Sequence, residues 1–208
     1  MQSPEEKSLW QKRWQKGQTG WDQGGAHPAL LQLIQHAKRE AALPEAARFF
    51  SAGCGAAHSE AVLAEWGHEV RAIDLSEEAI AAAKQMYGKV AGLELVKSDL
   101  FEIEDRELAA YDAIYDRAML CALPAELRPD YIEAMKKRLK KGGLFCGILF
   151  RLVDVEKGPP FAVDEAEAYR VLHRDFVLCY AAAIPAAPVP AVVREEWICV
   201  WRLRGVEP

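Results

Sequence analysis

From residue 47 to residue 150, short apolar runs alternate with segments of helical period, and no other property of the chain narrows its fold so far. "ARFFS" (47–51), "HEVRAID" (68–74), "LELVKSD" (93–99), "YDAIYD" (111–116) and "LFCGILF" (144–150) read as strands. Between them "SEAVLAEWG" (59–67), "SEEAIAAAKQMYG" (76–88) and "ELRPDYIEAMKKRLKKGG" (126–143, beyond its proline) read as helices. Ser76 is an N-cap residue with two acids behind it, and Gly67 and Gly88 are stops. In "KKRLKKGG" (136–143) the cations suit a helix C-terminus, and Gly142 or Gly143 suits its cap. Strands alternating with helices imply a mainly parallel sheet covered on both faces. The C-terminal part breaks the pattern. "DFVLCYAAAI" (175–184) and "VVREEWICVWRLR" (192–204) have only the loop "PAAPVPA" between them, so an antiparallel pair closes the sheet. The expected fold is α/β: a doubly wound, seven-stranded, mostly parallel Rossmann-like sheet with an antiparallel C-terminal strand pair.

Ahead of the alternation lie a short helix (4–16), a Gly-rich loop "GQTGWDQGGAHP" (17–28) that carries Trp21, and a second helical stretch (28–39). A chain of 208 residues, 51% of them hydrophobic, fits one large core. We expect a single domain over 1–208, with 1–40 as a helical cover over the ligand site. A net charge of -5 argues against nucleic acid or an anionic membrane as partner, because phosphate contacts need clustered Lys and Arg. The partner expected instead is a small molecule, and the chain is expected to be a monomer or weak dimer. The five cysteines are scattered and none forms a C-x-x-C pair, so neither a metal site nor a disulfide framework is expected. With no run of about 18 apolar residues and no apolar N-terminal core, a reducing cytoplasm is the expected location.

The chemistry is expected at the carboxyl ends of the strands. Gly53 and Gly55 lie in the turn after the first strand, where bare backbone can approach a ligand. Asp74 ends the second strand, 21 positions after Gly53, where an acid commonly accepts the hydrogens of a ribose diol. A nucleoside-containing cofactor follows. A dinucleotide turn wants a third glycine, and His58 stands in its place, which weakens a nicotinamide oxidoreductase reading. "SDLF" (98–101) suits an adenine edge, with Asp99 toward the amine and Leu100 and Phe101 against the ring. Asp116 and Arg117 stand at the mouth of the fourth strand.

This arrangement resembles class I S-adenosylmethionine-dependent methyltransferases. "WQKRWQKGQTGWDQGGAHPALLQLI" (10–34), "GCGAAHSEAVLAEWGHEVRAIDLSEEAI" (53–80), the 111–131 segment with "DRAMLCALPAELRPDY", and "GPPFAV" (158–163) are similar to the thiopurine methyltransferase family, which includes halide and thiol methyltransferases. The resemblance covers roughly residues 10–175. It implies S-adenosyl-L-methionine as cofactor, with S-adenosyl-L-homocysteine as its product. It implies that Trp10, Trp14 and Trp21 wrap the cofactor, that Gly53, Cys54, Gly55, Asp74 and Leu75 hold its amino acid and ribose parts, and that Asp99 and Leu100 face the adenine. It places Asp116 and Arg117 beside the methyl group as the catalytic pair, with Arg117 also toward the substrate and Arg194 as a second substrate-side arginine. Ala52 and Ala57 depart from the family's usual proline and glycine, but both are small.

Methyl transfer by in-line displacement needs mainly positioning and a dry site; orientation alone can supply up to about 7–11 kcal/mol. A soft anion needs no base. A thiol, with a pKa near about 8.5, is helped by an arginine that favours its anion, and this is the role expected of Arg117. The competing expectation for Arg117 is a salt bridge to Asp116 or a neighbouring acid. His27 and His173 are candidate bases whose commoner fate is the surface. A non-catalytic cofactor-binding module of the same fold is the remaining alternative.

Overall fold

The computed structural model describes residues 4–102, 108–151, 158–184 and 195–205. Seven strands form one sheet: β1 (Arg48–Ala52), β2 (Glu69–Asp74), β3 (Leu93–Lys97), β4 (Tyr111–Arg117), β5 (Leu139–Arg151), β6 (Phe176–Ile184) and β7 (Glu195–Leu203). Their order is β3-β2-β1-β4-β5-β7-β6. Pairing is parallel from β3 through β5, and β7 runs antiparallel to both β5 and β6. The chain winds outward from β1 to β3 and then returns to β4 on the other side of β1. The connections leaving β1 and β4 therefore diverge, which opens a crevice at their carboxyl ends.

Strand periodicity sorts the core onto the two faces. Phe50, Ile114 and Phe145 point into one cluster, with Tyr131 and Met135 of α6 (Arg128–Arg138) and Leu172 of α7 (Glu165–Leu172). Phe49, Ala113, Tyr115 and Cys146 point into the other, against α2 (Leu30–Ala41) and α3 (His58–Glu65). Neighbouring residues of one strand thus feed opposite layers, as period-two alternation requires. α4 (Glu77–Tyr87) starts at Ser76, whose hydroxyl accepts from Ala79 N. The remaining α-helices of the described chain are α1 (Pro4–Gln15) and the one-turn α5 (Met119–Ala122), which directly follows β4.

Three expectations change. The long C-terminal helix ends at Arg138. Leu139 leaves it in extended conformation and is already paired with Tyr111, so Gly142 and Gly143 lie inside β5 and cap nothing. Leu139 is apolar and buried, and burying it in the sheet outweighs another helical turn. Secondly, α2 is not part of a cover. Leu30, Leu33, Ile34 and Ala37 form a buried stripe packed against β5, β6 and β7, so only the chain before it can lie over the crevice. Thirdly, α7 was not anticipated, although Asp164 caps it by accepting from Glu167 N at 2.7 Å. Among the described residues no helix is long and apolar enough to cross a membrane.

Candidate active site

The crevice deepens into a cavity of about 310 Å³. Its floor is the turn after β1. Gly53 and Gly55 both have left-handed φ, +64° and +55°. A Cβ on Gly53 would stand 2.3 Å from Met119 Sδ, and one on Gly55 3.3 Å from the Trp14 ring. The turn is tied to the end of β2: Asp74 Oδ2 accepts from Gly55 N at 2.9 Å, while Oδ1 accepts from Ser76 N at 2.8 Å. Burial raises the Asp74 carboxyl above its usual range, against the pull of these backbone donors. Cys54 lies in the same turn, and burial pushes its thiol far up, so it is no nucleophile. Farther along the wall stand Leu75, Asp99, Leu100 and Phe101. Asp99 Oδ1 accepts from Phe101 N at 2.8 Å, which shapes that turn.

The N-terminal segment supplies the opposite wall. Trp21 meets Trp10 and Trp14 edge-on, with ring centroids 5.3 and 6.2 Å away. The Arg13 guanidinium lies 5.2 Å from the Trp10 ring and donates to Pro159 O at 3.1 Å. α1 is latched to the start of α4: Gln11 accepts from Glu77 N and donates to Glu78, and Gln15 also donates to Glu78. The loop behind α1 is held by His58, whose ring bridges Asp22 at 2.9 Å and the Tyr87 hydroxyl at 2.7 Å.

β4 closes the end of the cavity. Arg117 lines it with Nε and Nη2 buried and, among the described residues, without a hydrogen-bond partner, its guanidinium 5.4 Å from the Phe150 ring. Asp116 does not pair with it. Side chains alternate along a strand, and the fully buried Asp116 turns away from the cavity. It accepts from the Tyr131 hydroxyl at 2.8 Å and from Met119 N at 3.1 Å. Burial raises this carboxyl to about 6, although both donors favour the charged form. Asp116 thereby fixes α5 and the left-handed Ala118 (φ +70°) next to Arg117. Arg128 secures the other side of α5, donating to Leu120 O, Ala162 O and Glu167.

The structure therefore gathers Trp10, Trp14, Trp21, Gly53, Cys54, Gly55, Asp74, Leu75, Asp99, Leu100 and Arg117 around one cavity. Asp116 sits behind its wall, and Arg194 lies outside the described residues. His27 is buried away from the cavity. Its Nδ1 accepts from Ala29 N, so Nε2 donates to Glu196 at 2.9 Å. His173 is exposed and stacked on Tyr169. Sequence reasoning missed Ser51, Glu60 and Tyr115, buried residues that also line the cavity. Glu60 was legible in one respect: helical spacing puts it on the face shared by Leu63 and Ala64, both buried.

The family model for thiopurine S-methyltransferase matches residues 5–183. Thiocyanate methyltransferase 1 of Arabidopsis thaliana is 33% identical over 170 residues, 80% of this chain and 72% of that protein. A thiopurine S-methyltransferase of Xanthomonas campestris pv. campestris is 35% identical over 176 residues, covering 77% and 79%. Among solved structures, the Burkholderia thailandensis 1,6-didemethyltoxoflavin-N1-methyltransferase, with 1,6-didemethyltoxoflavin and S-adenosylhomocysteine bound, superposes with a TM-score of 0.75. It is 20% identical, with 98% of this chain and 92% of that one covered, and shares the fold.

Proposed function

The chain belongs to the thiopurine S-methyltransferase family, and from that premise we propose how its cavity serves methyl transfer to a small soft nucleophile. The enzyme is an S-adenosylmethionine-dependent methyltransferase, and this favours methyl transfer over a nicotinamide oxidoreductase. The acceptor class comprises thiols, thiopurines, halides and related soft species. Thiocyanate joins it through the Arabidopsis relative.

The residues present fit an adenosyl donor. Bare backbone at Gly53 and Gly55 leaves room for close approach, the buried Asp74 offers acceptor oxygens, and Leu100 and Phe101 offer an apolar slot beside Asp99. When bound, the donor supplies an activated methyl group on a cationic sulfur. Trp10, Trp14 and Trp21 then provide ring faces and edges that exclude water, and a ring face near the cation adds about 0.5–2 kcal/mol. The whole chain is read as one methyltransferase domain whose cover comprises α1 and the loop carrying Trp21 and Asp22.

One observation carries the acceptor side: a guanidinium with two buried nitrogens that have no partner among the described residues faces the cavity. An unsatisfied buried cation is costly, and an anionic acceptor relieves that cost while being held in place. Arg117 thus attracts and orients the nucleophile, and Asp116 acts through α5 to position it.

The test is calorimetry with S-adenosylhomocysteine, followed by an acceptor panel of iodide, thiocyanate, bisulfide, small thiols, thiopurines and tellurite. Binding with methylated product from at least one member is expected. In Arg117→Ala, kcat/KM for the preferred acceptor should fall about ten- to a hundred-fold, the worth of a charge-assisted hydrogen bond. Full turnover in that variant would remove Arg117 from the acceptor site.

A further inference from the structure

Glu60 is a carboxylate where the core calls for an apolar side chain. It is 4% exposed, on the buried face of α3, and it lines the cavity. Its Oε1 accepts from Ser51 Oγ at 2.7 Å. Among the described residues no other side chain donates to it, and no cation is in salt-bridge contact with it. A buried acid left this way in a ligand cavity is a functional candidate.

Its surroundings define what it can do. Arg117 and Tyr115 face it from β4, Asp74 from the end of β2 and Cys54 from the glycine turn. Burial raises its carboxyl to about 7; Ser51 and Arg117 pull the other way, and Asp74 adds to the rise. The Tyr115 hydroxyl is buried, and burial beside Glu60 pushes its ionisation far up. Tyr115 therefore stays a neutral hydroxyl, and Glu60 titrates in the range where a base must work.

We propose that Glu60 accepts the proton of a neutral thiol acceptor at this site while Arg117 takes up the negative charge that appears on sulfur. This rests on the methyl-transfer reading of the cavity. The S–H bond breaks with its electron pair left on sulfur, and the proton forms an O–H bond on the Glu60 carboxylate. Thiol plus carboxylate become thiolate plus carboxylic acid. The charge of the pocket is unchanged, and only its position moves, toward the guanidinium. The proton returns to solvent when the thioether leaves.

Two acceptor classes then need opposite states of Glu60. A thiol needs the carboxylate. Thiocyanate or iodide carries no proton to give up, and is repelled by a charged Glu60.

The experiment compares an alkanethiol with thiocyanate from pH 6 to 9. For the wild type, kcat/KM with the thiol should rise to a plateau that begins near pH 7, below the thiol's own pKa. With thiocyanate it should fall through the same range. In Glu60→Gln, the thiol profile should lose that break and climb on to the thiol's own ionisation. Its value at pH 7 should drop about ten- to a hundred-fold relative to thiocyanate. A second readout needs no turnover. With S-adenosylhomocysteine bound, adding the thiol at pH 8 should produce a protonated-carboxyl infrared band that is absent in Glu60→Gln.

Wild-type profiles that run the same way for both acceptors overturn the proposal, and they need no variant to fold. An equal loss with both acceptors in Glu60→Gln overturns it too, since that marks a structural or donor-binding role. Failure of the wild type to bind S-adenosylhomocysteine or to methylate any acceptor would instead overturn the methyl-transfer reading, and the proton acceptor with it.

Discussion

Gly53 and Ala57 sit four residues apart in the same turn with nearly the same left-handed φ, +64° and +58°, yet one is glycine and the other is not. An L-residue held there costs about 1–2 kcal/mol. At Gly53 a methyl group would also press on the Met119 thioether. Gly53→Ala should therefore destabilise the protein by about 1–2 kcal/mol and weaken S-adenosylhomocysteine binding, read by urea titration and calorimetry. Ala57→Gly relieves strain at the N-cap of α3, but it loosens the unfolded chain by about 0.4–1 kcal/mol and removes a buried methyl. Its net change should stay within about 1 kcal/mol, with binding retained. A large loss in Ala57→Gly would show that the methyl packs more than the backbone strains. The same scale separates the neighbours on β4. Sequence adjacency joined Asp116 and Arg117 as a pair, but strand alternation sends one carboxylate to Tyr131 and one guanidinium to the cavity.

Among the helices, α1 is held to the molecule by contacts made at its surface. None of its residues from Ser8 to Gln15 is buried, and its contacts with α4 run through Gln11, Gln15 and the first turn there. Such surface hydrogen bonds contribute on the order of 1 kcal/mol each, so the helix can lift without unfolding the sheet. Glu78→Ala should speed hydrogen exchange in α1 and raise KM for the methyl donor about three- to ten-fold, while the melting temperature shifts little. Unchanged exchange would mean that the tryptophan contacts alone hold the cover. α2 follows α1 in sequence but has the opposite character, because its apolar stripe is wholly committed to the sheet.

For the molecule as a whole, three buried acids, Glu60, Asp116 and Asp74, each raised by burial, set an unusual pH response. Glu60 and Asp116 both hold their protons more tightly in the fold, at about 7 and about 6, than in the unfolded chain, where their ordinary values are 4.5 and 3.8. The folded state therefore binds more protons than the unfolded one. The stability linked to these groups is complete below the unfolded values and is lost as pH rises through the folded ones. Between pH 8 and pH 6.5 the protein should gain about 1 kcal/mol, mostly from Glu60, seen as a higher urea midpoint at pH 6.5. The buried His68, whose pKa is lowered from 6.5, opposes this gain as pH falls through that value and so trims it at the acid end of the window. In Glu60→Gln most of the gain should disappear; a wild-type midpoint that falls on acidification over this range would contradict the assignment.

The sequence alone settled the alternation of strands and helices, the glycine turn, the acid that ends β2 and the one just past β3, and the arginine that ends β4. Each of these is written in local spacing: a period of two or 3.6, a residue needed for positive φ, or a side chain at a strand's end. It could not say where a buried side chain points once strands are ordered. Tertiary structure decided that Leu139 belongs to β5, that α2 is core, and that Asp116 faces Tyr131. It also brought Ser51, Glu60 and Arg117, from three separate elements, to one cavity. Such contacts arise from the crossover between β1 and β4, which joins residues distant in the chain and leaves no periodic trace in it.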